Sequence, residues 1–389
     1  MATALKPQSA KLSSVPARRS TPLPDPVTTS QLVRRYLGDI FWAVRITAGA
    51  VILISARTWP AFRHELGFLV ILAILTLPVR SVRWGTIYNF FLVGFLFAFV
   101  IVGAQYIIEK VMLGGHYPHL GAVLIAPVTE EPGKIFPLVI ILLLGWWGLR
   151  NSYGACDLML CGAALGGGFG FLEQGARMNQ SFPHPTSPVL FGVAVFPDSY
   201  GGFIGHGAST AFIALMLGYL LYAIRWRRWV LPGLIGVLAV LFWMMVDHGL
   251  SNYSVGTNSR GWFFPIRWIW AADKNGGLSP YFFFALILGT IVAERVLLWR
   301  ILRGSPHLSW RICVAHVRRP LQQGWGYPQL RAIVKRAQGL MLYVFSCRRL
   351  AFLKAHYMGD VPANKAAFAP LITKYSGRVS IAQIAVREL

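Results

Sequence analysis

The chain has 389 residues, 55% of them hydrophobic and only 13% charged. Soluble domains carry about 25% charged residues, so composition excludes an ordinary soluble enzyme and points to a polytopic membrane protein. The net charge of +23 comes from 37 Lys and Arg against 14 Asp and Glu; because the basic residues follow span boundaries, it is not a nucleic-acid signal.

Residues 1–35 are rich in Pro, Ser, Thr and Lys/Arg and hold no apolar core, the composition of a disordered basic tail. The first apolar run begins near Ile40, too late for a cleaved signal peptide. A span needs about 20 apolar residues at 1.5 Å rise each to cross about 30 Å of hydrocarbon. Segments of that kind lie at roughly 37–55, 66–80, 84–108, 120–148, 156–178, 202–224, 230–252 and 280–302, the second being the shortest. The expected fold is an all-α polytopic membrane helix bundle of about eight transmembrane helices. Residues 36–302 form its core and residues 303–389 a basic cytoplasmic extension. No internal repeat is evident, which weakens an inverted-repeat transporter reading.

Arg18, Arg19, Arg34 and Arg35 precede the first span, and Arg80 and Arg83 follow the second. Arg150 follows the fourth span, Arg225, Arg227 and Arg228 follow the sixth, and the tail beyond the eighth is basic throughout. The positive-inside rule then sets both termini in the cytoplasm, and the expected location is the cell (plasma) membrane. Within the extension, 330–353 mixes Leu, Ile, Val and Phe with Arg and Lys. That pattern suits either an amphipathic helix on anionic lipid or a small partner-binding domain. Cys156, Cys161, Cys313 and Cys347 show no CxxC spacing and read as free thiols.

Four polar clusters interrupt the apolar spans: Glu130-Glu131 with Lys134, Glu173, His206, and His248 with Asn252. An ionisable group at the centre of a membrane helix costs about 2.5–3.5 kcal/mol on insertion scales, so retained ones are expected to be in use. Alternating span directions bring all four clusters into the outer half of the bilayer. Lys134 lies three residues from Glu131 and four from Glu130, so it can neutralise either. The two glutamates differ by about 100° in helical phase, so one can face a site while the other orients it. Gly162, Gly166 and Gly170 repeat every fourth residue, a stripe that lets helices approach closely. Glu173 continues that face. His248 and Asn252 sit one turn apart and can address one carbonyl. His206 stands between two glycines that open access to its ring.

Other polar residues carry less. His116 and His119 read as a loop pair, and Asp247 and Asp198 as groups outside the site's inner ring. Asp39, Arg45 and Glu294 lie near span ends or beside basic residues, where snorkelling accounts for them.

Glu130-Glu131-Pro-Gly-Lys134 matches an EExxK pattern, and Phe169-Gly-Phe-Leu-Glu173 matches FxxxE behind Gly168. Gly205-His206 with Thr210-Ala211 matches GHxxxTA, and His248-Gly-Leu-Ser-Asn252 matches HxxxN. In this order, over roughly 120–255, they resemble the PrsW family of intramembrane proteases, distantly similar to the CAAX prenyl endopeptidase/Abi group. Gln174 stands where family members usually have Asn. The resemblance implies a peptidase generally treated as a metalloprotease, whose best-known members clip anti-sigma factors at an extracytoplasmic site.

The leading reading is peptide-bond hydrolysis by activated water. Glu130 or Glu131 takes the proton, Glu173, His206 and His248 hold a divalent metal with zinc the first candidate, and Asn252 steadies the carbonyl oxygen. A metal-free variant uses the glutamate base with His248 and Asn252 as oxyanion donors, in the manner of CAAX-like relatives. A proton-coupled transporter and an inert membrane scaffold are the non-enzymatic alternatives. The partners expected are the bilayer and a membrane-protein substrate, with no nucleic acid.

Overall fold

The computed structural model describes residues 59–114, 121–144, 152–178, 205–225, 229–256 and 279–302 and, with short gaps, 340–353 and 372–379. The first expected span, the tail before it, the histidines at 116 and 119, Asp198 and Cys313 lie outside the described residues. Every regular element described is a helix, and the chain is an all-α membrane bundle. In chain order the helices are α1 (Trp59–Leu75), α2 (Trp84–Tyr106), α3 (Ala126–Leu143), α4 (Ala155–Met178), α5 (His206–Arg225), α6 (Val230–Gly256) and α7 (Ser279–Leu302). A π-helical turn, Ile107–Met112, continues α2, and another, Gly121–Ile125, leads into α3. Helix boundaries fall within a few residues of the expected spans, except that α1 begins at Trp59 and stops at Leu75 instead of running over 66–80.

Five of these helices, α2 and α4 to α7, are long and apolar enough to cross a membrane. Helix α3 is not among them, because it holds Glu130, Glu131 and Lys134 within 18 residues. The polar groups that carry the site are what conceal it in composition. Outward faces of α2 and α6 expose Leu96, Phe99, Val102, Leu238 and Phe242, as suits surfaces solvated by lipid chains.

Helix α4 is the axis of the bundle. From Ala155 to Phe171 it is buried on every side, and its glycines explain how. On one flank a Cβ at Gly168 would come 2.0 Å from the Phe91 carbonyl oxygen of α2, and one at Gly94 equally close to the Leu165 oxygen. On the other flank a Cβ at Gly166 would lie 2.1 Å from the His206 oxygen, and one at Gly162 would lie 2.3 Å from the Ala214 side chain. The stripe expected at 162, 166 and 170 is thus the face packed against α5. Small residues let two backbones touch where lipid supplies no hydrophobic drive for association.

The end of the bundle remote from the four clusters is tied by buried carboxylates. Asp157 accepts the N–H groups of Ser81 (2.7 Å) and Val82 (2.9 Å) and the Ser81 hydroxyl (2.5 Å), closing the α1–α2 connection onto α4. Glu294 does not snorkel as expected. It is buried on α7 and accepts the Ala155 N–H at 2.5 Å and the Tyr222 hydroxyl at 3.1 Å, so it caps the start of α4.

Helical segment 343–353 of the extension docks at this same end. Arg348 donates to the Leu77 and Arg80 carbonyls, each at 2.7 Å, and Arg349 donates to the Tyr153 hydroxyl at 3.0 Å. Ala351 and Phe352 bury themselves with Val79, Cys156 and Leu298. Burial draws the Arg348 guanidinium down to about 10, so it stays charged at neutral pH. The apolar residues of this stretch therefore meet the chain's own helix ends. Cys156, Cys161 and Cys347 are buried and in no disulfide.

Close approach at Gly168 makes a testable demand. Gly168→Ala is expected to cost about 1–3 kcal/mol through overpacking, whereas Gly103→Ala, with nothing within 4 Å of the added carbon, is expected to be neutral or slightly stabilising. Thermal unfolding midpoints of the two variants in one detergent would check the contrast.

Candidate active site

Helix α3 enters the site through sequence that weakens its own hydrogen bonding. Pro132 and Pro137 lie inside it, and each removes one intrahelical N–H donor. The Thr129 hydroxyl bonds back to the Ile125 carbonyl at 2.7 Å and the Ala126 carbonyl at 3.1 Å. Glu130, Glu131 and Lys134 project from this stretch and all are buried.

Lys134 pairs with one of the two adjacent glutamates, Glu131. Its ammonium donates to Glu131 Oε1 at 2.5 Å and to His206 Nδ1 at 2.8 Å. Glu131 is engaged further: His248 Nδ1 lies 2.9 Å from the same oxygen, and the Ser209 hydroxyl donates to Oε2 at 3.0 Å. Neither the Glu131 carboxylate nor the Lys134 side chain is exposed at all. A lysine on one helix thus clamps a carboxylate and an imidazole, and through Glu131 the second imidazole as well.

Glu130 points the other way round the helix. Its Oε1 accepts from Gln105 Nε2 of α2 at 2.8 Å. Its Oε2 is buried, accepts no hydrogen bond, and lies 3.8 Å from His248 Nε2 and 4.0 Å from His206 Nδ1. Buried polar atoms in native structures are nearly always satisfied, so this oxygen has capacity for a further partner.

His206 owes its position to Gly205, whose φ of 90° is a backbone conformation that side-chain-bearing residues rarely adopt. The chain turns there into α5, and the Gly205 carbonyl accepts the first helical bond, from the Ser209 N–H at 2.9 Å. The His206 ring stands edge-on to Phe169 of α4 and to His248 of α6, with centroids 5.0 Å and 5.2 Å away. Its Nε2 contacts Glu173 Oε2 near the far end of α4. Glu173 is the least buried carboxylate of the cluster, at 17% side-chain exposure.

Six of the residues singled out in sequence therefore meet: Glu130, Glu131 and Lys134 from α3, Glu173 from α4, His206 from α5 and His248 from α6. Ligand atoms of Glu130, His206 and His248 all lie within 4.8 Å of one another. Asn252 lies one turn beyond His248 on α6 and is half-buried. Two contributors went unnoticed in sequence. Gln105 is a polar residue near the end of a largely apolar span, and Ser209 sits inside the GHxxxTA stretch, where only the flanking motif positions drew notice.

Residues 82–273, about half of the chain, match the sequence model described as PrsW family intramembrane metalloprotease. The chain belongs to the PrsW family. It is accordingly an intramembrane peptidase, and the matched region contains α2 to α6 with all six clustered residues. No curated protein and no solved structure matches it significantly.

The clamp is open to test by a mutant cycle. Lys134→Met leaves Glu131 buried with its main counter-charge gone, and breaking such a pair costs about 3–5 kcal/mol. Adding Glu131→Gln should recover much of that loss, because the pair's coupling vanishes with its second member. Denaturation of the two single variants and the double variant would give the coupling energy.

Proposed function

We propose that this PrsW-family peptidase hydrolyses peptide bonds of membrane-anchored proteins, with Glu130 as the base that takes a proton from water. The observation that carries this is the bare Glu130 Oε2, buried 3.8 Å and 4.0 Å from the two imidazoles. A water seated against that oxygen would supply the missing partner and be the nucleophile. Glu131, with three partners already, is the orienting carboxylate: by accepting from His248 Nδ1 it fixes that ring's tautomer and leaves Nε2 towards Glu130.

The cluster fits a divalent cation. Three carboxylates face one ammonium, so with neutral imidazoles the site carries excess negative charge, and two imidazoles with a carboxylate form a familiar zinc donor set. We assign the ion to His206, His248 and Glu173, leaving Glu130 for water; with Nδ1 accepting from Lys134, His206 would release its Nε2 proton as the ion binds. Held by these residues, a divalent ion would supply Lewis acidity that acidifies a water and polarises the scissile carbonyl. Asn252, one turn from His248, is placed to donate to the carbonyl oxygen as charge builds on it. Glu130 then returns its proton to the leaving amine.

Sidedness follows from charge. Arg80, Arg83, Arg295, Arg300, Arg348 and Arg349 all lie at or near the end opposite the site. With that end cytoplasmic, the site opens in the outer half of the plasma membrane. The docked segment 343–353 makes part of the extension a cytoplasmic base for the core.

Two variants separate base from ligand. Glu130→Gln should keep the wild-type metal content yet lose about 10²–10⁴ in cleavage rate, whereas Glu173→Ala should lose metal and activity together. Metal per protein by elemental mass spectrometry, beside cleavage of a pool of membrane-anchored peptides, reads both. Metal lost in Glu130→Gln but kept in Glu173→Ala would exchange the two roles. Full activity of the metal-stripped wild type would leave Glu130 as base and remove the ion.

A further inference from the structure

A fourth carboxylate lies beside this centre, on a helix outside the family-matched region. Glu65 of α1 is only 3% exposed. It enters a notch that three glycines on two other helices leave open. A Cβ at Gly170 of α4 would sit 2.9 Å from Glu65 Oε1, one at Gly167 3.2 Å from Oε2, and one at Gly207 of α5 3.0 Å from Oε2. The space at Gly170 is shared: that same Cβ would be 3.3 Å from both Cβ and Cδ2 of His206. A single absent side chain therefore separates the carboxylate from the imidazole.

The notch is also the first turn of α5. The N–H groups of His206, Gly207 and Ala208 precede the first helical hydrogen bond, and the start of a helix carries about half a positive charge. A carboxylate at Gly207 is electrostatically matched to that end. In hydrocarbon, where a stray carboxylate is costly, this match gives Glu65 a reason to be buried here.

We infer that Glu65 is a positioning residue of the hydrolytic centre: it holds the first turn of α5 against α4 and so sets the His206 ring. The inference rests on His206 and His248 holding a divalent ion, as proposed above. Glycine at 167, 170 and 207 then leaves room for the carboxylate, which a Cβ at any of the three would crowd.

Zinc alone is the probe. Zn²⁺ affinity of the full-length protein in detergent is measured by competition with a chromophoric chelator, and the visible spectrum of the Co²⁺ form reports ligand geometry. Glu65→Gln keeps the shape and removes the charge. It is expected to weaken Zn²⁺ binding about 10–100-fold, the usual effect of losing a residue that orients a ligand, and to alter the Co²⁺ spectrum. Glu65→Asp, which keeps the charge, should recover part of the affinity. Gly207→Ala, which crowds the carboxylate without removing it, should weaken binding in the same direction. Zn²⁺ affinity and Co²⁺ spectrum unchanged in Glu65→Gln would overturn the inference, even with a lowered unfolding midpoint, since that pattern is purely structural. His248→Ala tests the underlying reading separately. If it binds Zn²⁺ like the wild type, or the wild type binds none, the metal assignment itself fails; if only Glu65→Gln behaves like wild type, the role of Glu65 alone fails.

Discussion

A single ammonium, that of Lys134, organises the polar interior. It is buried beyond the reach of water, so it must be paired, and its two partners belong to different parts of the site. Pairing with Glu131 leaves that carboxylate braced against His248 and, on the proposed mechanism, out of the chemistry. Pairing with His206 ties α5 to α3. What remains is Glu130, held by Gln105 at one oxygen and bare at the other. The division of labour between neighbouring glutamates is a consequence of where one lysine sits.

The clamp can exist only because the helices come close enough. Glycine contacts on both flanks of α4 bring α2 and α5 to backbone distance, which lets Glu173, His206 and Phe169 share one small volume. Packing and chemistry thus draw on the same residues. A change at Gly166 or Gly170 would act on the site as directly as a change at His206. At the opposite end Asp157 and Glu294 do a purely architectural job with the same residue types, capping α4 and its neighbouring loop. What distinguishes Glu130 from these two is its company: its open oxygen lies 3.8 Å and 4.0 Å from two imidazoles, whereas Asp157 and Glu294 are spent on backbone N–H groups.

Much of this was legible in the chain. Hydropathy located helices α2 to α7 to within a few residues, and the motif spacings named six residues that converge. The 100° between adjacent glutamates showed that they must differ but not which one Lys134 would take, since three and four residues are both within reach. Gln105 and Glu65 escaped because neither belongs to a spaced motif, and their meaning lies in contacts with helices far along the chain. Glu294 was misread as snorkelling because a carboxylate near a span end usually finds water; here it finds the unsatisfied N–H of Ala155. The apolar residues of 343–353 suggested lipid or a partner, and sequence offers no way to see that Val79 and Leu298 would cover them.

The central claim is that Glu130 activates water for attack on a peptide bond. Its most direct test is cleavage of a membrane-anchored peptide in H₂¹⁸O, with the new carboxyl terminus weighed by mass spectrometry. One ¹⁸O atom should appear in the terminus formed by the wild type, with no such product from Glu130→Gln. A product of the same mass and yield from Glu130→Gln would contradict it.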